Sequence, residues 1–258
     1  MKGQELVKLV ITAVAIVTAG LFGVRAGRSR SPINSNPEYV WFEATYGPSR
    51  NSEHAEEWLV RDFFHDKHGG TFVDVGSYEY RTFSNTYYLD QTLGWSGIAI
   101  DAQEEFANDY AKYRPRTKFF SFFVSDRSDA IESLFVPRGD RLAASSNKEF
   151  ADAYEPTARE RKVRTITLND LLHREGVSHF DFMSMDIELA EPRALAGFDI
   201  DSFRPSLVVV EAHWEVRQQL LDYFAAHRYR VVGRYLTVDP DNLWFTPVDV
   251  QIPTGLGH

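Results

Sequence analysis

Residues 71–101 read TFVDVGSYEYRTFSNTYYLDQTLGWSGIAID, and no other stretch constrains the fold as strongly. An apolar run ends at Asp74 and turns at Gly76. A helical stretch follows, and a second apolar run over residues 97–100 ends at Asp101. The pattern is strand, loop, helix, strand, with a carboxylate at the tip of each strand. Open α/β sheets bind ligands beyond the carboxyl ends of their strands. A carboxylate ending the second strand suits a ribose, because it accepts hydrogen bonds from both hydroxyls. These residues predict a site for a nucleoside-bearing cofactor.

The alternation continues down the chain. A helix is expected from near Ser52 to about Phe64, and another from Asp101 to about Tyr113. Strands are expected over residues 118–124, 180–185 and 207–211, with closing strands over 229–236 and 243–245. Helical segments over 169–175 and 190–197 lie between them, and Val216, Leu220 and Phe224 stripe a further helix at four-residue spacing. Residues 127–162 are polar with scattered apolar positions and carry no assignable period. Alternating strands and helices imply a mostly parallel sheet covered on both faces. An apolar content of 43% in 258 residues is enough for one large core and argues against disorder.

The chain has no cysteine, which excludes disulfides, zinc-thiolate sites and thiol nucleophiles. The first thirty residues carry five basic side chains against Glu5, a net +4, so the remainder of this −9 chain carries −13. A body that acidic, without a basic stripe, is a poor nucleic-acid binder. Within residues 6–24 the only charge is Lys8. Nineteen helical residues span roughly 28 Å, close to a bilayer core of about 30 Å. Three readings fit: a single-pass signal anchor, which is favoured, a cleaved signal peptide with a weak site at Val24-Arg25-Ala26, and a buried helix. The anchor reading divides the chain into a membrane helix at 1–30, a linker at 31–50 and a catalytic domain at 51–258. Ala15, Ala19 and Gly23 share a helical face, a spacing that permits a homodimer of anchors, although Ala and Gly are common in such segments.

Five expected strand ends are acidic or polar: Asp74, Asp101, Ser125 with Asp126, Asp186, and Glu211 followed by His213. One such residue reads as a helix cap. Five along one sheet edge make an anionic field suited to a sulfonium, an ammonium or a metal. The turn at residues 76–80 lacks the GxGxxG spacing of a pyrophosphate cradle. The P-loop, HExxH and GxSxG signatures are also missing.

Together with VRTITLNDLL and DFMSMDIELAEPRALAGFDIDSFRPSLVVVE, the 71–101 segment resembles the FkbM-type S-adenosylmethionine-dependent methyltransferases. The resemblance implies a class I methyltransferase fold, a Rossmann-like seven-stranded sheet, mostly parallel, whose last strand is antiparallel. It also implies S-adenosyl-L-methionine as cofactor and O-methylation of a hydroxyl on a sugar, lipid-linked or polyketide-like acceptor. It places Asp74, Gly76 and Ser77 along the methionine part of the cofactor, with Asn85 also facing it. Asp101 falls on the ribose, and Ser125 with Asp126 beside the adenine. A cytoplasmic catalytic body follows, since that cofactor is made there. The chain departs from the family pattern at Tyr78 and Tyr80, where small or polar residues and a glycine are usual. It departs again at Leu189, where DIEL stands for DVEG.

Methyl transfer to an alcohol needs a positioned acceptor and a base for its proton. Asp186, Glu188 and His213 are the candidate bases. A metal held by Asp186, Glu211 and His213 is a further reading, since oxygen and imidazole ligands suit Mg, Mn or Zn. Two other classes stay open: a nicotinamide-dependent oxidoreductase, and a catalytically silent anchored binding module.

Overall fold

The computed structural model describes residues 36–139 and 141–254. The chain divides into two units, residues 1–36 and 37–258. The expected membrane segment, its cleavage site and the Ala15–Ala19–Gly23 face lie outside the described residues. Among the described residues no helix is long and apolar enough to cross a membrane.

Seven strands form the main sheet: β1 (Thr71–Val75), β2 (Ser96–Asp101), β3 (Thr117–Ser121), β7 (Phe182–Met185), β8 (Leu207–Glu211), β9 (Tyr229–Val231) and β10 (Asn242–Pro247). Their order is β3-β2-β1-β7-β8-β10-β9. Only β10, the last strand, runs antiparallel to its neighbours β8 and β9. This is the strand order and polarity of a Rossmann-like methyltransferase sheet. The chain reverses direction across the sheet between β1 and β7, the kind of switch point at which such sheets bind ligands.

Both faces are buried, as the run Leu207-Val208-Val209-Val210 requires. On one face Val73, Met183, Val208 and Phe245 meet Leu171 of α6 (Leu168–Arg174) and Phe224 of α9 (Arg217–Ala226) in the principal core. Phe224 and Phe245 stack at 3.9 Å. Thr167 caps α6 by accepting the Asp170 N–H at 3.0 Å. On the other face Trp244 meets Tyr235 edge-on at 5.4 Å, and Tyr235 meets Phe42 in turn.

Phe42 belongs to α1 (Pro37–Tyr46), a helix inside the expected 31–50 linker. Tyr39 and Phe42 are buried, and Tyr39 packs edge-on against Trp58 of α2 (Glu56–Phe64) at 5.3 Å. The folded unit therefore begins at Pro37, not at residue 51. Aromatic burial orders this segment, whose polar surroundings give no helical period. Ser52 lies upstream of α2 but still accepts the Glu57 N–H at 3.1 Å.

The expected strand over 118–124 is two strands. β3 ends at Ser121, and β4 (Phe123–Val124) turns into a second sheet of order β4-β6-β5. This sheet, built with β5 (Ile131–Val136) and β6 (Arg159–Ile166), takes up both ends of the segment without an assignable period. It is half-exposed, so its alternation is diluted by polar side chains. α5 (Lys148–Tyr154) lies in the connection between β5 and β6.

Candidate active site

The turn after β1 is built around two close approaches. Gly76 has φ +82, and a Cβ there would meet the Asp186 carbonyl oxygen at 1.7 Å. The Gly76 and Ser77 N–H groups both donate to the Ile100 carbonyl, folding the turn over β2. Asp101 ends β2 and receives the Tyr78 N–H at 2.9 Å on one oxygen and the Gln103 N–H at 2.8 Å on the other. Each oxygen keeps a lone pair. Burial pushes the Asp101 carboxyl up to about 6, against the pull of the Gln103 and Tyr78 N–H groups. Ser77 is buried, and its Oγ has no hydrogen-bond partner. Asp74 is buried one residue before the end of β1 and accepts from Thr86 Oγ1 at 2.6 Å. Burial raises its carboxyl above the usual range, against the Thr86 hydrogen bond and the Arg114 charge.

Tyr78 and Tyr80, the two departures in this turn, pack into an aromatic cluster on Phe106 and Tyr110. Tyr78 meets Phe106 at 5.0 Å and Tyr80 stacks on Tyr113 at 4.7 Å. Asn85 donates to Ser184 Oγ of β7 at 3.0 Å, which ties the loop after the turn to the middle of the sheet.

Ser125 and Asp126 are not at a main-sheet strand end. The residue paired with Asp101 on β3 is Ser121, and Ser125 follows β4 in the second sheet. Ser125 Oγ donates to Asp126, whose carboxylate takes the Arg193 Nε at 3.1 Å. Asp126 is thus tied to α7 (Glu191–Ala196) and the Ser125 N–H to Ile166 of β6, and the expected row of five strand ends is a row of four.

The other half of the site follows β7 and β8. Asp186 is exposed as a residue, while protein crowds its carboxyl group. Burial first, and then the neighbouring Glu211, hold it well above the usual carboxylate range. Glu188 and Leu189 follow with φ 55 and 77. Glycine is usual at residue 189 because the turn needs a left-handed backbone there, and this chain keeps that backbone with a leucine. The turn carries Glu188 Oε2 to 3.1 Å from His213 Nε2, and Glu211 Oε2 stands 3.2 Å from the same nitrogen. Burial raises Glu188 and Glu211 each to about 7, against the pull of the neighbouring His213. Burial pulls His213 down, but Glu188 and Glu211 together outweigh it and push the imidazole up to about 11.

Three residues here escaped the sequence reading. Glu191 is fully buried at the start of α7 and accepts the Ile187 N–H on Oε1 at 3.0 Å. Its signal was present, three residues beyond Glu188, but it read as an ordinary first-turn acid. Ser145 is fully buried and donates to the Glu188 carbonyl at 2.6 Å. Phe150 of α5 packs edge-on against His213 at 5.1 Å. Both belong to the insertion after β4, and no local pattern announces that it reaches the site. The expected metal set of Asp186, Glu211 and His213 also changes. The three donors that converge are Glu188, Glu211 and His213, all within 4.8 Å of one another.

A family model described as the methyltransferase FkbM domain matches residues 74–231, more than half of the chain. The chain belongs to the FkbM methyltransferase family. Solved structures it resembles include a protein of Pyrococcus horikoshii described as an RNA methyltransferase, at 13% identity and TM-score 0.38, covering 75% of this chain and 83% of that one. A SAM-dependent methyltransferase from Aquifex aeolicus matches at 14% identity and TM-score 0.35, over 81% and 96% of the two chains. The [4+2]-cyclase SpnF matches at 13% and 0.36, over 84% and 82%. No curated protein matches.

Proposed function

We propose that this FkbM-family protein is an S-adenosylmethionine-dependent O-methyltransferase that acts on a hydroxyl of a sugar, lipid-linked or polyketide-like small molecule. The observation that carries the reading is the contact of the Gly76 turn with the Asp186 backbone. It sets the turn that bonds the ribose-type carboxylate Asp101 against the strand end that opens the proton-accepting cluster.

The residues fit the cofactor. Ser77 offers a buried hydroxyl without a protein partner, and Asp101 keeps acceptor capacity on both oxygens. Asp101 would hold the ribose hydroxyls, and Ser77 and Asp74 the methionine portion, with Asn85 supporting them from the loop. When bound, the cofactor supplies an electrophilic methyl group. Asp186 is the most exposed residue of this carboxylate group, so it receives the acceptor hydroxyl proton. Glu188 and Glu211, fixed on His213, orient the hydroxyl beside it. Residues 6–24 would tether the protein to a membrane, with the catalytic body on the cytoplasmic side.

Calorimetry with S-adenosylhomocysteine and with NAD tests the cofactor. Binding of the first alone supports the reading, and binding of NAD alone would overturn it. Tracing a labelled methyl group in cell extracts with and without the gene then identifies the acceptor. Label in no product would leave only a binding module. Protease added to intact cells should spare the body, and its digestion would overturn the cytoplasmic placement.

A further inference from the structure

The convergence of Glu188, Glu211 and His213 exceeds what orienting a hydroxyl needs. His213 Nε2 is 3.1 Å from Glu188 Oε2 and 3.2 Å from Glu211 Oε2. Adjacent corners of an octahedron with bonds of ~2.1–2.2 Å are ~3.0–3.1 Å apart. The two distances to His213 match that spacing, and all three donors lie within 4.8 Å of one another.

One imidazole proton does not satisfy this group. Nε2 bonds Glu188, and Glu211 Oε2 is left buried without a hydrogen-bond partner. A second orphan stands on the turn after β7. Glu191 is fully buried, its Oε1 is held by the Ile187 N–H, and its Oε2 has no partner. Its bond to the Ile187 N–H ties it to the turn that carries Glu188. Buried carboxylate oxygens without donors are rare and costly. A cation in the cluster would satisfy the Glu211 oxygen directly.

We propose that Glu188, Glu211 and His213 bind one divalent cation of the Mn²⁺ class. Two carboxylates and an imidazole, in a chain without cysteine, favour such an ion over a thiolate-seeking one. The three ligands occupy one face and leave positions for the acceptor oxygen. Glu191 supplies a buried charge behind the ligands and holds the 187–188 backbone in place. The role of the ion in methyl transfer rests on the proposed function, whereas its binding does not.

The test uses the full-length chain in detergent, stripped with chelator and titrated with MnCl₂ while free Mn²⁺ is read by electron paramagnetic resonance. One equivalent should bind. Glu211→Gln and His213→Ala should each weaken binding at least tenfold, and Glu191→Gln about tenfold or more. Asp101→Ala should bind Mn²⁺ as wild type does. Pulsed resonance of bound Mn²⁺ should show nitrogen coupling, a readout on wild-type protein that needs no variant to fold. Absence of binding, equal binding by Glu211→Gln, or bound Mn²⁺ without nitrogen coupling would each overturn the site. Mn²⁺ binding by protein that fails to bind S-adenosylhomocysteine would sink the methyltransferase reading and leave the metal site standing.

Discussion

Gly76 and Asp186 are in backbone contact across the β1–β7 strand ends, with no room for a side chain between them. The contact couples the turn that would hold the cofactor to the turn that carries the proposed base. Gly76→Ala would meet both a left-handed backbone and a direct overlap. The conformation costs about 1–2 kcal/mol and the overlap about 1–3 kcal/mol. The melting temperature should fall by ~5–15 °C, and S-adenosylhomocysteine affinity should fall with it. A melt and a titration identical to wild type would show that the turn yields freely.

Asp101 gives a pH dependence with a defined sign. Its folded carboxyl titrates near 6, above its ordinary 3.8. Ionised above about pH 6, it accepts from both ribose hydroxyls; protonated below, it loses acceptor capacity. Affinity for S-adenosylhomocysteine should therefore weaken as pH falls through 6, by at most about tenfold per unit. The ligand-free fold should show the opposite trend. A raised carboxyl binds its proton more tightly folded than unfolded, so this group's contribution to stability falls as pH rises from about 4 to 6. Asp101→Ala should cost about 1–3 kcal/mol of binding and remove the pH dependence. A pH-independent wild-type affinity would contradict the ribose assignment.

Arg114 and Asp90 form an ion pair with both side chains fully buried, at 3.0 Å. Arg114 also donates to Thr86 Oγ1 at 3.0 Å, and Thr86 donates to Asp74. Arg114→Met leaves Asp90 charged and partly unpaired in the interior, so it should cost about 3–5 kcal/mol in urea unfolding. Recovery of most of that loss in an Arg114→Met/Asp90→Asn double variant would confirm the stranded charge as the cause. No recovery would point instead to lost packing.

Leu189 holds φ 77, where glycine is the family's usual choice. Leu189→Gly should relieve about 1 kcal/mol of backbone strain. It also removes packing against the main core, so net stability should change by less than ~2 kcal/mol while the Glu188–His213 contact persists. Leu189→Val keeps the strain, adds a branched Cβ, and should unfold more readily than either. If the valine variant matches wild type, the left-handed turn is not what residue 189 supports.

The main sheet was legible because its strands are short apolar runs ended by acids, a local pattern at Asp74, Asp101 and Glu211. The positions of Asp186, Glu188 and His213 were legible for the same reason: each follows a short apolar run that reads as a strand. α1 and the second sheet were not. Tyr39 and Phe42 are buried by Trp58 and Tyr235, partners remote in sequence, so no window around them reveals the helix. The break at Phe122 was hidden because residues 118–124 form one unbroken β-favouring run. Only the departure of β4 toward β6 moves Ser125 away from Asp101. Glu191, Ser145 and Phe150 show the limit most clearly, since their importance lies wholly in what they touch.

Asp186→Asn offers the sharpest separation of chemistry from architecture. The amide keeps the shape of the carboxyl group and cannot take a proton. Methyl transfer should fall by about 10²–10⁴, with S-adenosylhomocysteine affinity unchanged. Stability should move the other way. Asp186 shares its surroundings with Glu211, and their like charges oppose one another. Removing one charge should hold or raise the melting temperature at pH 8, where the cluster is most ionised. A residue kept for structure loses stability when replaced, and a residue kept for chemistry at a crowded site often gains it. Loss of activity with a lowered melting temperature would assign Asp186 to the fold. A severe His213→Ala beside a mild Asp186→Asn would move the base to the imidazole.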